Sequence, residues 1–168
     1  MIDFDDLPKT GDVSYEGFLT LQLEDDGEFL VGLADIDANF GANSGSFSGS
    51  ADGFVGETSG RYTGSLAITD GLIVKGVEAF VDAVEDAVDE GTTVNRGEDP
   101  PNGENFAGIV SNLDGDLTSS SNETVSIDGN IIGTFTGEDA AMIGIAFGNT
   151  NQGDIAGVLV AVDPDPLP

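Results

Sequence analysis

Apolar or small side chains recur at every second position through most of this chain, and that spacing constrains its fold more than any other feature. Three segments show the alternation in full, at residues 14–24, 34–40 and 61–69. Their apolar or small positions are Tyr15, Gly17, Leu19, Leu21 and Leu23; Ala34, Ile36, Ala38 and Phe40; and Tyr62, Gly64, Leu66 and Ile68. A period of two is the side-chain period of a β-strand, and polar residues at the intervening positions indicate one buried and one solvated face. The chain is therefore expected to form antiparallel strands.

Short turn signals separate these segments, as expected for strands joined by hairpins. They are DDG at 25–27, SADG at 50–53, TDG at 69–71, DGD at 114–116 and IDGN at 127–130. The chain also has 25 glycines, many of them inside strand patterns, and glycine relieves crowding where a barrel bends. We predict an all-β fold, an antiparallel up-and-down barrel of about eight strands. Residues 1–168 suit a single domain, with its core at 12–162 and short tails through Lys9 and from Pro164.

One segment departs from the strand period and predicts a helix at residues 77–90. Its apolar residues recur at helical spacing, with acidic residues between them, and Gly91 is a suitable residue to end the helix. The apolar positions are Val77, Phe80, Val81, Val84 and Val88. We expect this helix to lie against the sheet.

The polar residues that follow, 91–105, predict a long loop, because Pro100 and Pro101 are incompatible with regular structure. Long loops on a rigid barrel commonly carry binding residues. The candidate binding residues of this loop surround its only basic side chain and are Thr93, Asn95, Arg96 and Glu98. A tolerated insertion without a binding role is the alternative interpretation.

The last two strand segments, 142–148 and 154–162, are apolar on both faces. The face that points away from the barrel interior must then be covered, either by another part of this chain or by a partner. Coverage by the chain itself is the expectation, and the helix at 77–90 is the candidate for covering part of it.

Charge excludes several classes of function. Four basic residues accompany 32 acidic ones, which gives a formal net charge of −28. Such a chain repels phosphate backbones and anionic lipid surfaces, so we predict no nucleic-acid or anionic-membrane partner. The charge is typical of a well-solvated acidic shell, and a dedicated surface for cations or basic partners is the alternative.

The chain has no cysteine and no histidine, which excludes disulfides, thiolate chemistry and the usual zinc sites. No pair of carboxylates is singled out for acid–base work, so we predict no enzymatic activity. The opening residues lack the basic and apolar regions of a signal peptide, and no apolar run is long enough to span a bilayer. Tyr15 and Tyr62, the candidate haem-type ligands, fall on apolar strand faces, which favours core packing.

A possible metal site is suggested by the sequence NLDGDLTSSSNE at residues 112–123. Oxygen-bearing side chains occupy positions 1, 3, 5, 7, 9 and 12 of a twelve-residue loop, as in calcium-binding loops. The candidate ligands are Asn112, Asp114, Asp116 and Glu123. Leu117, however, stands where such a loop needs glycine, and the flanking residues have strand patterns, so a polar hairpin turn is the alternative. Calcium is the only cofactor that the sequence suggests.

Three stretches of the chain are similar to the eight-stranded barrel of the transferrin-binding-protein-B-like family. They are LPKTGDVSYEGFLTL, ADIDANFGANSGSFSG and IIGTFTGEDAAMIGIAFGNTNQGDIAGVLVAVD. The positions that match the terminal strand pattern of that family are Gly133, Phe135, Gly137, Ala140, Gly144, Phe147 and Gly157. The similarity covers about 12–69 and 106–162 and leaves out the helix and loop at 76–105.

This resemblance implies a barrel fold and a secreted or surface-displayed binding protein of the kind found in Gram-negative bacteria. The chain lacks the lipid-accepting cysteine of anchored members and has one barrel rather than two lobes. We therefore expect a non-enzymatic extracellular binding module for a host or environmental macromolecule. The alternative is a structural subunit of an extracellular assembly, such as a filament, surface layer or virus-like particle, that packs through its apolar outer face.

Overall fold

The computed structural model describes residues 2–24, 27–88, 103–137 and 139–165, and these form nine strands, one α-helix and two short 3-10 helices. The strands are β1 (Gly11–Leu23), β2 (Phe29–Phe40), β3 (Ser44–Gly56), β4 (Gly60–Arg61), β5 (Ser65–Lys75), β6 (Ala107–Thr118), β7 (Thr124–Thr136), β8 (Ala141–Thr150) and β9 (Gly153–Val162). The helix α1 spans Val77–Ala87, and the 3-10 helices span Phe4–Asp6 and Gly103–Asn105. In the described part of the chain, no helix is long and apolar enough to cross a bilayer.

Eight of the strands close into an antiparallel ring in the order in which they follow along the chain. Each strand pairs with its neighbours in sequence, and β1 completes the ring by pairing with β9, where Leu19 stands opposite Leu159. The two-residue strand β4 lies outside the ring and pairs only with the end of β3. The prediction of an antiparallel up-and-down barrel of eight strands with one inserted helix is confirmed.

The interior of the ring is filled by the alternate side chains that the sequence pattern indicated. In β2 every inward-pointing residue from Leu30 to Phe40 is buried, and every residue between them is exposed. Burial and exposure therefore alternate strictly along this strand. Phe135 of β7 packs between Tyr15 and Phe40, with ring centroids 6.2 and 6.0 Å away. Burial and the nearby Asp163 carboxylate raise the pKa of Tyr15 to about 12, so the side chain is neutral in the core.

Glycines on the inner face allow neighbouring strands to approach closely. A side chain at Gly133 would overlap the carbonyl oxygen of Ile143 on β8, and one at Gly17 would overlap the carbonyl oxygen of Val160 on β9. Both overlaps are with backbone atoms, which cannot move aside without disturbing the pairing. This explains why glycine recurs within the strand pattern.

The N-terminal segment is a structured part of the barrel, which differs from the predicted tail through Lys9. Phe4 and Leu7 are buried in the main core, and the backbone N–H of Ile2 donates to the carbonyl oxygen of Phe135 at 3.3 Å. Lys9 and Lys75 both contact the Asp5 carboxylate, and both ammonium groups lie within 6 Å of the Phe4 ring centroid. The segment closes one end of the barrel because its two apolar side chains complete the core.

The predicted strand at 61–69 begins later than its alternation suggests. Gly64 has a φ of +103°, and β5 begins at Ser65, so the chain turns between β4 and β5. Tyr62 is nevertheless buried, and Thr63 forms an isolated antiparallel bridge with Thr118. The alternation therefore located the buried residues correctly but joined two elements into one.

Helix α1 lies on the outside of the ring, against β5 and β6. It buries Val110, which points away from the barrel interior, and its Phe80 ring packs edge-on against Phe106 at 5.2 Å. The predicted helix at 77–90 is confirmed from Val77 to Ala87, but Val88 is already extended, so the helix ends earlier than predicted. Residues 89–102, which include most of the predicted loop at 91–105, lie outside the described residues. Helix α1 does not extend over β9 to cover its outer face, where Val158 and Val160 remain exposed.

The buried carboxylate of Glu28 connects the β1–β2 hairpin to the turn after β3. Its oxygens accept hydrogen bonds from the backbone N–H groups of Thr58 (3.0 Å) and Ser59 (2.9 Å) and from the Ser59 hydroxyl (3.1 Å). Burial raises the pKa of the Glu28 carboxyl, but these hydrogen bonds outweigh that effect and hold the pKa below its usual value. The ionised form therefore stabilises the folded chain.

We expect Glu28→Gln to lower the free energy of unfolding at neutral pH by about 1–2 kcal/mol, since hydrogen bonds to a charged acceptor are lost. Because the folded-state pKa lies below the unfolded one, this stabilisation is present above about pH 4.3 and is lost as the pH falls through the folded value. Urea unfolding from pH 7 to pH 3 measures the difference, with exposed Glu57→Gln as the control for one lost charge. If the difference in the free energy of unfolding between Glu28→Gln and the original chain stays constant down to pH 3, the stabilising role of the ionised Glu28 carboxylate is contradicted.

Candidate functional site

The outer wall of the barrel carries a band of exposed apolar side chains over five neighbouring strands. We call these residues the outer band: Phe18, Val31, Leu33, Val55, Ile145, Val158, Val160 and Val162. Strand register makes the band continuous, because Phe18 stands opposite both Leu33 and Val160. On the next strand, Val158 stands opposite Ile145. Soluble monomers rarely expose contiguous apolar patches larger than a few hundred Å², and larger ones mark interaction sites.

An apolar groove lies at the β8 side of the outer band, beside helix α1. It has a volume of about 370 Å³, which is within the range of small ligand pockets. Phe80 and Phe106 form one wall, and residues of β7, β8 and β9 form the rest. The lining residues from the strands are Ile132, Gly133, Thr134, Ile143, Gly144, Ile145 and Val158.

An acidic groove of about 720 Å³ adjoins the apolar groove along the same strands. On β8 the outer residue that follows Ile145 is Phe147, which lines the acidic groove, and on β7 Asn130 lines it next to Ile132. The helix contributes Phe80 to the apolar groove and its last turn, Ala87, to the acidic one. The described residues that line the acidic groove include five carboxylates and three amides: Glu24, Asp70, Asp114, Asp128, Asp154, Asn112, Asn130 and Asn149.

Asn130 is the residue that links the acidic groove to the helix. Its side-chain NH2 group donates to the carbonyl oxygens of Ala87 and Ser111, both at 3.3 Å, and to the Asn112 side chain at 3.2 Å. Ala87 is the last residue of α1, so the negative end of the helix dipole also faces this groove. Asp114 and Asp128 stand directly opposite each other on β6 and β7, an arrangement of like charges that opposes folding. The groove is therefore strongly negative.

The described basic residues are not part of the lining of either groove. Hydrogen bonding to Lys75 and Lys9, opposed by some desolvation, lowers the pKa of Asp5 at the end of the barrel that the N-terminal segment closes. Arg61 lies on β4, outside the ring. Within the described residues, neither groove is lined by a lysine or an arginine.

The candidate calcium ligands do not come together in a loop. Asn112, Asp114 and Asp116 follow one another on β6, so the first and last are about 13 Å apart along the strand. Glu123 precedes β7, in the turn beyond the end of β6, about 16 Å along the ladder from the Asp114–Asp128 pair. In the described part of the chain, no three carboxylates are placed to hold one metal ion. The candidate loop residues Thr93, Asn95, Arg96 and Glu98 lie outside the described residues.

Sequence reasoning found only the β8–β9 part of the outer band. The β1–β3 part consists of Phe18, Val31, Leu33 and Val55, which occupy positions that alternate with buried residues. The available signal was an apolar residue on a face that is otherwise polar, as at Phe18 between Glu16 and Thr20. Such residues are common singly on protein surfaces, and only their register across strands shows that they form one surface.

Comparison of the chain with family models, curated proteins and solved structures finds no match in any of the three. The resemblance to the transferrin-binding-protein-B-like barrel therefore stays a prediction.

Proposed function

We propose that this protein is a non-enzymatic binding module that engages another macromolecule through its outer band. The observation that supports the proposal is the continuity of exposed apolar side chains over β3, β2, β1, β9 and β8. The interior of the barrel is occupied by its own core side chains, so the outer wall is the surface that offers apolar area to a partner. The extracellular or surface location that we assign to it rests on the family resemblance.

A structural subunit that assembles with its own copies is the second candidate, because the outer band could also be buried between copies. The formal charge of −28 opposes that arrangement, since each copy brings the same acidic surroundings to the contact. A partner without that charge meets no such repulsion. The acidic surface thus favours a different macromolecule over a second copy.

The two candidates can be separated with one variant of the outer band and one control. The variant combines Phe18→Ser, Leu33→Ser and Val160→Thr, and the control is Leu72→Ser, which removes an exposed apolar side chain of β5 outside the band. Exposed residues contribute little to stability, so both proteins should melt close to the original chain. Light scattering after size exclusion, at tens of micromolar, gives the oligomeric state of each.

If the protein is a binding module, we expect it to be a monomer. The original chain and Leu72→Ser should both retain the partner from extracellular extract, and the band variant should not. The retained partner is then identified, purified and titrated against all three proteins. Stoichiometric self-assembly that the band variant abolishes would establish the structural subunit instead. Retention that does not depend on the band would overturn the proposal.

A further inference from the structure

The two adjoining grooves beside α1 suggest which kind of partner segment the protein takes. From Ile143 to Asn149 the outer face of β8 changes from apolar to polar, over about 20 Å. Apolar side chains line one end of this path, and five carboxylates and the C-terminal end of a helix line the other. The path is therefore amphipathic along its length.

The closed ring restricts how a segment can bind here. Each of the eight ring strands already has a neighbour on both sides, so no edge is available for an added strand on this wall. Binding must then proceed through side chains, as in recognition of a helix by a groove. Helix α1 demonstrates that the outer wall accommodates a helix, since Phe80 packs over Gly108 and Val110 is buried beneath α1.

We propose that this path, the α1 groove, binds a basic amphipathic helix of a partner protein. An apolar stripe would fill the space between Phe80 and Ile145, and lysine or arginine side chains at one end would face Asp114 and Asp128. The inference rests on the proposed function and names the partner's chemistry. Charge complementarity decides the occupant, because a second copy of this chain or an anionic lipid surface would bring further negative charge to the acidic groove. Among the described residues, the lining of that groove holds five carboxylates and no lysine or arginine.

The length of the path determines the length of the peptide used as a probe. At 1.5 Å per residue, about 14 residues of helix cover 20 Å. A suitable probe is a fluorescein-labelled synthetic peptide of that length, with leucines at i, i+3 and i+7 and three lysines in its last turn. One comparator replaces the lysines with glutamate, and the other keeps the composition but shuffles the order so that the apolar stripe is lost.

Four variants separate the α1 groove from diffuse attraction by an acidic protein. Ile145→Ser removes an apolar side chain of the groove, and Leu72→Ser is its control, because Leu72 is 46% exposed against 58% for Ile145 and lies outside both the outer band and the groove. The pair Asp114→Asn with Asp128→Asn removes two charges from the groove, and Asp35→Asn with Asp52→Asn removes two exposed charges from β2 and β3. Relieving the opposed Asp114–Asp128 pair should not destabilise the fold.

Fluorescence anisotropy at about 0.15 M NaCl, where charges are screened beyond about 8 Å, measures the affinity. We expect Ile145→Ser to weaken binding about tenfold and the Asp114/Asp128 pair about fivefold or more, with both controls within about twofold of the original chain. Both comparator peptides should bind at least about tenfold more weakly. NMR shift changes should be confined to α1 and β6–β9.

If the groove variants and their controls weaken peptide binding equally, the attraction is diffuse and the inference is overturned. Light scattering that shows the peptide-free protein as a dimer broken by Ile145→Ser would assign the groove to a second copy instead. If the band variant (Phe18→Ser, Leu33→Ser and Val160→Thr) loses its partner while Ile145→Ser still binds that partner and the peptide does not bind, the binding function stands and the assignment to the α1 groove fails.

Discussion

Replacing Phe135 with alanine is expected to lower the free energy of unfolding by about 3–5 kcal/mol. The side chain is fully buried and lies between the rings of Tyr15 and Phe40, so its removal leaves a cavity in the barrel core. Neighbouring strands are fixed by their hydrogen-bonded ladders, which limits how far the core can close around that cavity. Equilibrium unfolding in urea measures the loss.

Phe18→Ala is the matched control, since it removes the same group from the outer face of β1. Phe18 is 54% exposed, and we expect its replacement to change stability by less than about 0.5 kcal/mol. A large loss at Phe18 would mean that the outer band supports the fold, and its interpretation as a binding surface would then fail. A small loss at Phe135 would contradict the described core.

Gly133→Ala is expected to destabilise the barrel by about 3 kcal/mol or more, although it adds only one methyl group. The added carbon would overlap the carbonyl oxygen of Ile143, and strands β7 and β8 could accept it only by moving apart. Thermal melting followed by circular dichroism measures the effect, and loss of soluble protein is the extreme form of the same result.

Gly144, which stands opposite Gly133 on β8, provides the comparison. An alanine there would approach the Cγ2 atom of Ile131 to 2.8 Å, and a side-chain methyl group can move where a backbone carbonyl cannot. We expect Gly144→Ala to cost about 1 kcal/mol. If the two substitutions have equal effects, close approach of the strands is not the reason for glycine at position 133.

The barrel was predictable because its strands repeat one local signal. In β2 the alternation of Ala34, Ile36, Ala38 and Phe40 with polar residues fixes which face is buried without reference to any other segment. The helix was predictable for the same reason, since Val81 and Val84 bury the face that their spacing defines. A hydrophobic pattern that is complete within about ten residues predicts the strand or helix without information on its tertiary contacts.

Features that depend on contacts between distant segments could not be predicted. Phe4 and Leu7 have no periodic neighbours, so nothing in residues 1–9 indicates that they fill the end of a barrel. Likewise, the position of α1 over β5 and β6 rather than over β9 follows from its connection to the end of β5 through Gly76. The acidic groove gathers carboxylates from β5, β6, β7, β9 and the turn after β1, which only the closed ring brings together.

The residues at 112–118 show how one spacing can serve two structures. Oxygen ligands at alternate positions satisfy the first half of a calcium loop, and the same alternation is that of a strand with a polar outer face. Leu113 and Leu117 decide between them, because both are buried in the barrel core, and this orientation turns Asn112, Asp114 and Asp116 outward.

The pairing of β1 with β9 also determines when the barrel can close during synthesis of the chain. Leu19 and its partner Leu159 are 140 residues apart, and ribosomes add about 5–20 residues per second, so β1 is made about 7–28 seconds before its second neighbour exists. Throughout that interval the growing chain presents an open strand edge, and the barrel can close only after synthesis is nearly complete. A chain that stops after β8 would keep two such edges permanently, on β1 and β8, and each could pair with a strand of another chain.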